Sequence, residues 1–452
     1  MSESLLIDKT ASLKRTIGIA EPTTSNQEKL LKQGIWVYLI LLILEGALRK
    51  WALPGLATPL LVIRDPVALF LIIVSWNSGY LKSNIYIIGI VATTLLSFFT
   101  ALFFGHGNIF VALYGARIFL LHFPLIFIIG FVFTRDDVLK MGNVLLWMSI
   151  PMAVLIFMQF YSPQSAWVNR GIGGDMEGGG FSGSMGYFRP PATFSFISGT
   201  ASFFTLVAGF VFFFWLTKDD MNKVLLIGAT AAVLIAIPLS ISRSLLFGVL
   251  ITFIFALFAV ARKPSYLGRM IAVLLLLSVA LFVFKDNAAL QTPLAAFTDR
   301  FDSANEQEGG LQGVVGDRFL GGMLGAISGS TNLLFWGYGI GMGSNVGAML
   351  LSGKVVYLIS EGEWGRLIGE QGFLVGLIVI LLRLAFCMKI SIAAYHKLLT
   401  GELLPWMLLS FCVLNIAQGQ WSQPTSLGFS VLSGGLILAA LRDNGNEEKE
   451  II

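Results

Sequence analysis

Long, unbroken apolar runs separated by short polar breaks dominate the chain. The runs predict helices near 34–53, 58–76, 84–104, 113–133, 142–161, 191–217, 222–240, 244–261, 268–284, 367–386, 403–419 and 425–441. Each is close to the roughly 17–25 residues that a helix needs to cross about 30 Å of hydrocarbon. Strands of a membrane barrel would instead alternate apolar and polar residues over about ten positions. The pattern therefore predicts an all-α polytopic membrane protein with about twelve transmembrane helices.

Composition agrees with that reading. Hydrophobic residues make up 56% of the chain and charged residues 12%, with a mean hydropathy of +0.80, whereas soluble domains carry about 25% charged residues. A soluble enzyme, a nucleic-acid binder and a disordered chain are excluded. Cys387 and Cys412 both lie in apolar runs, which leaves no disulfide framework or cysteine-based metal site. Residues 1–33 are polar and contain Lys9, Lys14, Arg15, Lys29 and Lys32. They lack the short apolar core of a signal peptide and read as a cytoplasmic tail. The first nine helices then fill 34–284, with a glycine-rich loop at 162–190. A large extracytoplasmic loop follows at 285–366, the last three helices at 367–441 and a second cytoplasmic tail at 442–452.

Charge placement orients the bundle. Clusters such as Thr134-Arg135-Asp136-Asp137 and Arg262-Lys263-Pro264 fall on the cytoplasmic side if the N-terminus is cytoplasmic, giving eighteen Lys/Arg inside and twelve outside, as the positive-inside rule prefers. The inner set holds twelve Lys and six Arg, and the outer set three Lys and nine Arg: Arg49, Arg64, Arg117, Arg170, Arg189, Arg243, Arg300, Arg318 and Arg366. Topology is indifferent to which residue supplies the charge. An arginine-rich outer face suits recognition of phosphate by planar, forked donors; snorkelling or pairing with acids is the alternative for any single member.

Arg189, Arg243, Arg318 and Arg366 sit where an outer-leaflet headgroup would be. They could bind a diphosphate and stabilise negative charge as it leaves. Glu361, Glu363, Glu370 and Asp317 are candidate general bases, with an ion pair to Arg366 or Arg318 as the structural alternative. Within 285–366, residues 286–313 read as polar and irregular, and 317–327 as a short helix on the membrane surface. The glycines of 337–343 lack the strand–loop–helix context of a nucleotide site and read as a tight turn. No histidine or carboxylate cluster outside suggests a metal.

The order Phe188-Arg189-Pro190-Pro191-Ala192-Thr193-Phe194, Ser242-Arg243, Arg318, Trp336-Gly337-Tyr338-Gly339-Ile340-Gly341, Asn345 and Glu370-Gln371-Gly372-Phe373-Leu374-Val375-Gly376 resembles the O-antigen polymerase/ligase superfamily. The resemblance implies a GT-C-like membrane glycosyltransferase acting at the outer face of the bacterial cytoplasmic membrane. It would transfer an undecaprenyl-diphosphate-linked oligosaccharide to an acceptor hydroxyl, without a cofactor. Ligases of this superfamily carry a functional histidine in the large outer loop. Residues 285–366 have none, which points to a Wzy-type polymerase, with lipid-linked repeat units as donor and acceptor and a chain-length regulator and a flippase as possible partners. On this reading Arg49, Arg64, Arg117, Arg300, Tyr338 and Asn345 join the substrate-binding set. An O-antigen ligase and, in a different class, a lipid-linked oligosaccharide flippase are the competing expectations. The stretch Glu45-Gly46-Ala47-Leu48-Arg49-Lys50-Trp51 maps to no general motif of that superfamily.

Overall fold

The computed structural model describes residues 26–442, apart from 218, 220, 272–274, 276–286, 309–321, 329–333, 355 and 357. Described elements are α-helical except for one two-stranded hairpin and short turns. In chain order the helices are α1 (Asn26–Ala47), α2 (Asp65–Asn77), α3 (Ile85–Phe103), α4 (Ile109–Arg117), α5 (Phe123–Val132), α6 (Arg135–Tyr161), α7 (Ile197–Leu216), α8 (Lys223–Leu239), α9 (Arg243–Arg262), α10 (Ala288–Glu308), α11 (Gly322–Ser328), α12 (Asn345–Ser352), α13 (Glu363–Gln371), α14 (Phe373–Thr400), α15 (Leu404–Gln418) and α16 (Pro424–Leu441). The hairpin pairs β1 (Phe181–Ser184) with β2 (Tyr187–Arg189).

Among the described residues nine helical segments are long and apolar enough to cross a membrane: Asn26–Ala52, Pro59–Asn77, Ile85–Phe103, Ile109–Val132, Arg135–Tyr161, Ile197–Leu216, Arg243–Arg262, Phe373–Thr400 and Pro424–Leu441. α8 and α15 are shorter apolar helices in two further expected positions. The span expected at 268–284 falls mostly outside the described residues, as do 1–25 and 443–452.

Two helices form the axis of the bundle. α7 contributes Phe203, Phe204 and Phe210, all fully buried, and α16 is buried almost all round. α5 and α16 pack with their backbones close. A Cβ on Gly130 would lie 2.5 Å from Leu438 Cβ, and one on Gly435 would lie 2.4 Å from Ile129 Cβ. Small residues at such crossings are how membrane helices gain van der Waals contact without a hydrophobic driving force. The peripheral faces of α3, α6, α9 and α14 leave large apolar side chains uncovered, among them Phe99, Trp147, Ile254 and Leu381. That inversion suits a hydrocarbon surround. Helix starts follow local chemistry: Thr134 and Asp137 form a reciprocal capping box at α6, and Asn84, Asn108 and Asn222 accept from the first free N–H groups of α3, α4 and α8.

Four sequence expectations change. The first helix begins at Asn26, inside the expected polar tail. The helix expected at 191–217 begins only at Ile197, because Pro190-Pro191 and side-chain anchors hold residues 192–196 in turns and bends. The helix expected at 367–386 is two helices divided at Gly372 (φ 77°), the second running to Thr400. Residues 286–313, read as irregular, contain the 21-residue α10. Its Ala- and Leu-rich start favours helix, but its polar second half hides it from a hydropathy pattern.

Candidate functional site

The hairpin brings three arginines together at one end of the bundle. Arg189 ends β2, and its Nε donates to Ser182 O across the hairpin at 3.1 Å. Gly183 of β1 packs against Ile241, so closely that a Cβ there would meet Ile241 Cδ1 at 2.8 Å and Arg189 Cγ at 3.4 Å. Arg243 lies two residues beyond Ile241, at the start of α9. On α10, Asp299 accepts from the Ser184 hydroxyl, and Phe301 meets Phe247 of α9 with ring centroids 6.4 Å apart. Arg300 lies between those two contacts. All three arginines are half-buried. Burial lowers the Arg189 guanidinium from its ordinary range, and the positive charges of Arg300 and Arg243 lower it further. Neither Arg189 nor Arg300 forms an ion pair with a described residue.

Strained backbone flanks this cluster. Ile241 (φ 47°) and Ala192 (φ 51°) both occupy the left-handed region, and both are buried. For a β-branched residue that is a genuine outlier, and such conformations persist only where surrounding contacts over-determine them. Around Ala192 those contacts are visible. Its N–H donates to Gln159 Oε1 at 2.8 Å, and the Thr193 hydroxyl donates to Ile43 O at 2.7 Å. Lys50 Nζ donates to Ala192 O at 2.5 Å and to Phe194 O at 2.9 Å, while Arg49 Nη1 donates to Ser195 Oγ at 2.9 Å.

Arg49 and Lys50 reach the same segment because α1 ends in a π-helical turn, Leu48–Ala52. A second π turn, Ile118–His122, interrupts α4 and α5. Such insertions concentrate at functional positions. Between them runs a buried polar network. Glu45 lies 3.4 Å from both Arg49 and Arg64, and Arg64 donates to Tyr38 OH and to Pro424 O. Asp65 pairs with Arg117 at 2.7 Å and with His122 at 2.9 Å, and His122 Nδ1 meets Tyr38 OH at 3.0 Å. Arg49, Arg64 and Arg117 thus hold helices and loops to one another, and none of them touches the hairpin arginines.

Arg366 belongs to a different cluster. It forks onto Glu363 through Nε and Nη2, each at 2.9 Å, and donates to Glu370 Oε2 at 2.6 Å. Arg383 of α14 donates to Glu363 Oε1 at 2.6 Å, to Ile416 O and to Gly419 O, and lies 3.9 Å from the Trp421 ring. All four charged groups are almost fully buried. Burial alone would raise the Glu363 carboxyl, but Arg366 and then Arg383 outweigh it and hold it below the usual glutamate range. Two carboxylates neutralise two guanidinium groups here. Glu370 Oε1 also accepts the Gly343 N–H at 2.8 Å, which fixes the glycine turn. A Cβ on Gly341 would strike Val111 O at 2.2 Å, so glycine at that position serves close backbone approach. Tyr338 is exposed on this turn, with its carbonyl accepting the His106 N–H. Asn345 is half-buried at the start of α12, which Ser344 caps.

Of the expected site residues, the structure brings together Arg189, Arg243 and Arg300. It places Glu363, Arg366 and Glu370 in a self-neutralised pair network and leaves Glu361 exposed, with its carbonyl accepting from Gln420. Arg318 and Asp317 lie outside the described residues. Sequence reasoning missed Lys50 as an anchor and assigned Arg383 to the cytoplasmic set; its companions Ile416 and Gly419, four and seven residues past Cys412, gave no local signal. Among the described residues no group of three His, Cys, Asp or Glu side chains could hold a metal ion. Comparison of the chain with known protein families, with curated proteins and with solved structures finds no match in any of the three.

Proposed function

We propose that the chain is a GT-C-type membrane glycosyltransferase with twelve spans and cytoplasmic termini. It polymerises undecaprenyl-diphosphate-linked oligosaccharide repeats at the outer face of the bacterial cytoplasmic membrane. The observation that carries this reading is the convergence of Arg189, Arg243 and Arg300 from three separate parts of the chain. The charges of Arg300 and Arg243 work against the half-buried Arg189 guanidinium, and a dianionic or trianionic ligand beside it would relieve that repulsion. Planar guanidinium groups arriving from different directions match the several oxygens of a diphosphate.

In the proposed reaction an acceptor hydroxyl attacks the anomeric carbon, and the arginines stabilise the charge that accumulates on the departing diphosphate. Diphosphate is already a good leaving group, so the arginines supply most of what the step requires. One displacement inverts the anomeric centre. The buried Glu363–Arg366–Glu370–Arg383 cluster supports the bundle end on which this happens, and Arg49 with Lys50 fixes the segment that follows Arg189.

The test is polymer synthesis by purified protein from a lipid-linked repeat. Arg189→Lys, Arg243→Lys and Arg300→Lys keep the charge but lose the fork. Each should cut turnover by about 30- to 1,000-fold, the equivalent of roughly 2–4 kcal/mol for one donor to a developing anion. Near-normal synthesis by all three would overturn the reading. In cells, deletion should leave single repeats and no long polymer; full-length polymer on its carrier would mark a ligase, and repeats stranded on the inner leaflet a flippase.

A further inference from the structure

An acceptor hydroxyl must lose a proton, and two of the carboxylates expected from sequence to take it are committed elsewhere. Glu363 and Glu370 are buried against Arg366 and Arg383. Glu45 and Asp65 are held within the helical bundle by Arg49, Arg64 and Arg117. Asp299 differs from all of these in its surroundings. It is exposed on α10, precedes Arg300 directly, and contacts the hairpin whose second strand ends in Arg189. The Ser184 hydroxyl donates to Oδ2, which orients the carboxylate on an exposed residue beside the arginine cluster.

Resting on the polymerase reading above, we propose that Asp299 is the general base of the transfer, with Ser184 as its positioning residue. The acceptor oxygen forms its bond to the anomeric carbon as the bond from that carbon to the diphosphate oxygen breaks. The bonding pair leaves on the diphosphate against Arg189, Arg243 and Arg300. The hydroxyl proton passes to Asp299 and from there to solvent, so the carboxylate is regenerated each cycle. Attacking oxygen and leaving group then meet opposite charges supplied by consecutive residues of one helix.

Asp302, one turn along α10 and also exposed, provides the control. With the full chain in detergent or nanodiscs and a lipid-linked repeat as substrate, Asp299→Asn should lower kcat by about 10²- to 10⁴-fold, the range a positioned proton acceptor provides. The donor KM and the thermal midpoint should stay unchanged. Asp299→Glu should retain part of the rate, Ser184→Ala should lose several-fold, and Asp302→Asn should match the parent. Formate should partly restore turnover to Asp299→Ala, which a purely structural carboxylate would not permit. Activity of Asp299→Asn within threefold of the parent, or a rate loss accompanied by an equal loss of donor affinity, would overturn the assignment while Arg189→Lys still tests the polymerase. Failure of the parent protein to form polymer would overturn both.

Discussion

Two basic clusters occupy the same end of this bundle and obey opposite logic. Arg366 has Glu363 three residues before it and Glu370 four residues after it on a single short helix, and each of its guanidinium nitrogens meets a carboxylate. Arg189, Arg243 and Arg300 come from a hairpin, a helix start and a loop helix, and there the positive charges reinforce one another. The first cluster closes on itself. The second is half-buried, and at Arg189 the neighbouring charges of Arg300 and Arg243 oppose the guanidinium instead of balancing it. An arginine near membrane depth therefore signals ligand binding chiefly when its helix does not already carry its counter-ion.

The contrast is sharpest in what truncation should do. Arg366→Ala strands Glu363 and Glu370 without their main partner in a water-poor interior. Breaking a buried pair from one side costs about 3–5 kcal/mol, so folded yield and thermal midpoint should fall steeply. Acid should act on the same cluster. The Glu363 carboxyl is held below its ordinary value, so it contributes stability that is present above the unfolded-state glutamate range and is lost as pH falls through its lowered folded value. A thermal midpoint that declines on acidification in the parent, and declines less in Glu363→Gln, checks the sign. Arg189→Ala should do the reverse of Arg366→Ala. Turnover should drop by an amount equivalent to about 2–4 kcal/mol, with stability shifted by less than about 1 kcal/mol, because relief of like-charge repulsion offsets lost packing. If both substitutions chiefly unfold the protein, the distinction between the clusters fails.

That distinction was partly legible in the sequence. Glu363, Arg366 and Glu370 have the i, i+3 and i, i+4 spacing that places side chains on one helix face, so a neutral pair network was available as the bland reading. Arg383 was not, since its carboxylate partner lies 20 residues away on a separate helix. The apolar runs located most helices because hydrocarbon imposes a length on each. They missed the break at Gly372 and the turns before Ile197, where backbone conformation is set by contacts from distant elements. Arg189 and Arg243 were recognisable as arginines beside turns. Their meeting with Arg300 depended on α10, which a hydropathy pattern reads as a polar loop.

Lys50 tests whether the segment after Arg189 is held or merely tethered. Its ammonium serves two buried carbonyls, Ala192 O and Phe194 O. Lys50→Met keeps the length of the side chain but leaves Phe194 O without its donor and Ala192 O with only the Gln159 amide at 3.3 Å, and a buried orphan costs about 1–3 kcal/mol. Relaxation of the segment should keep the total near the lower end of that range, at about 2 kcal/mol by denaturant or thermal unfolding. Arg189 should then be less well placed, so the donor KM should rise along with the loss of stability. A variant with parental stability and kinetics would show that the segment is fixed by its prolines alone.

The smallest effect should come from Ala192→Gly, and it separates strain from stability. An L-residue in the left-handed region costs roughly 1–2 kcal/mol, and Ala192 has φ 51° with its side chain fully buried. Glycine removes that cost. It also enlarges the conformational entropy of the unfolded chain by an amount worth about 0.4–1 kcal/mol, and it removes one buried methyl group worth about 0.8 kcal/mol. These terms nearly cancel, so the unfolding free energy should move by less than about 1 kcal/mol in either direction. Turnover should nevertheless fall several-fold. Glycine makes additional backbone conformations accessible three residues from Arg189, and a clamp on a leaving group depends on geometry more than on charge. Unfolding midpoint and polymer synthesis measured on the same preparation decide the matter: an activity that tracks stability would mean that the left-handed Ala192 only closes a loop, whereas a loss of rate at constant stability would show that the strained residue helps aim the arginine.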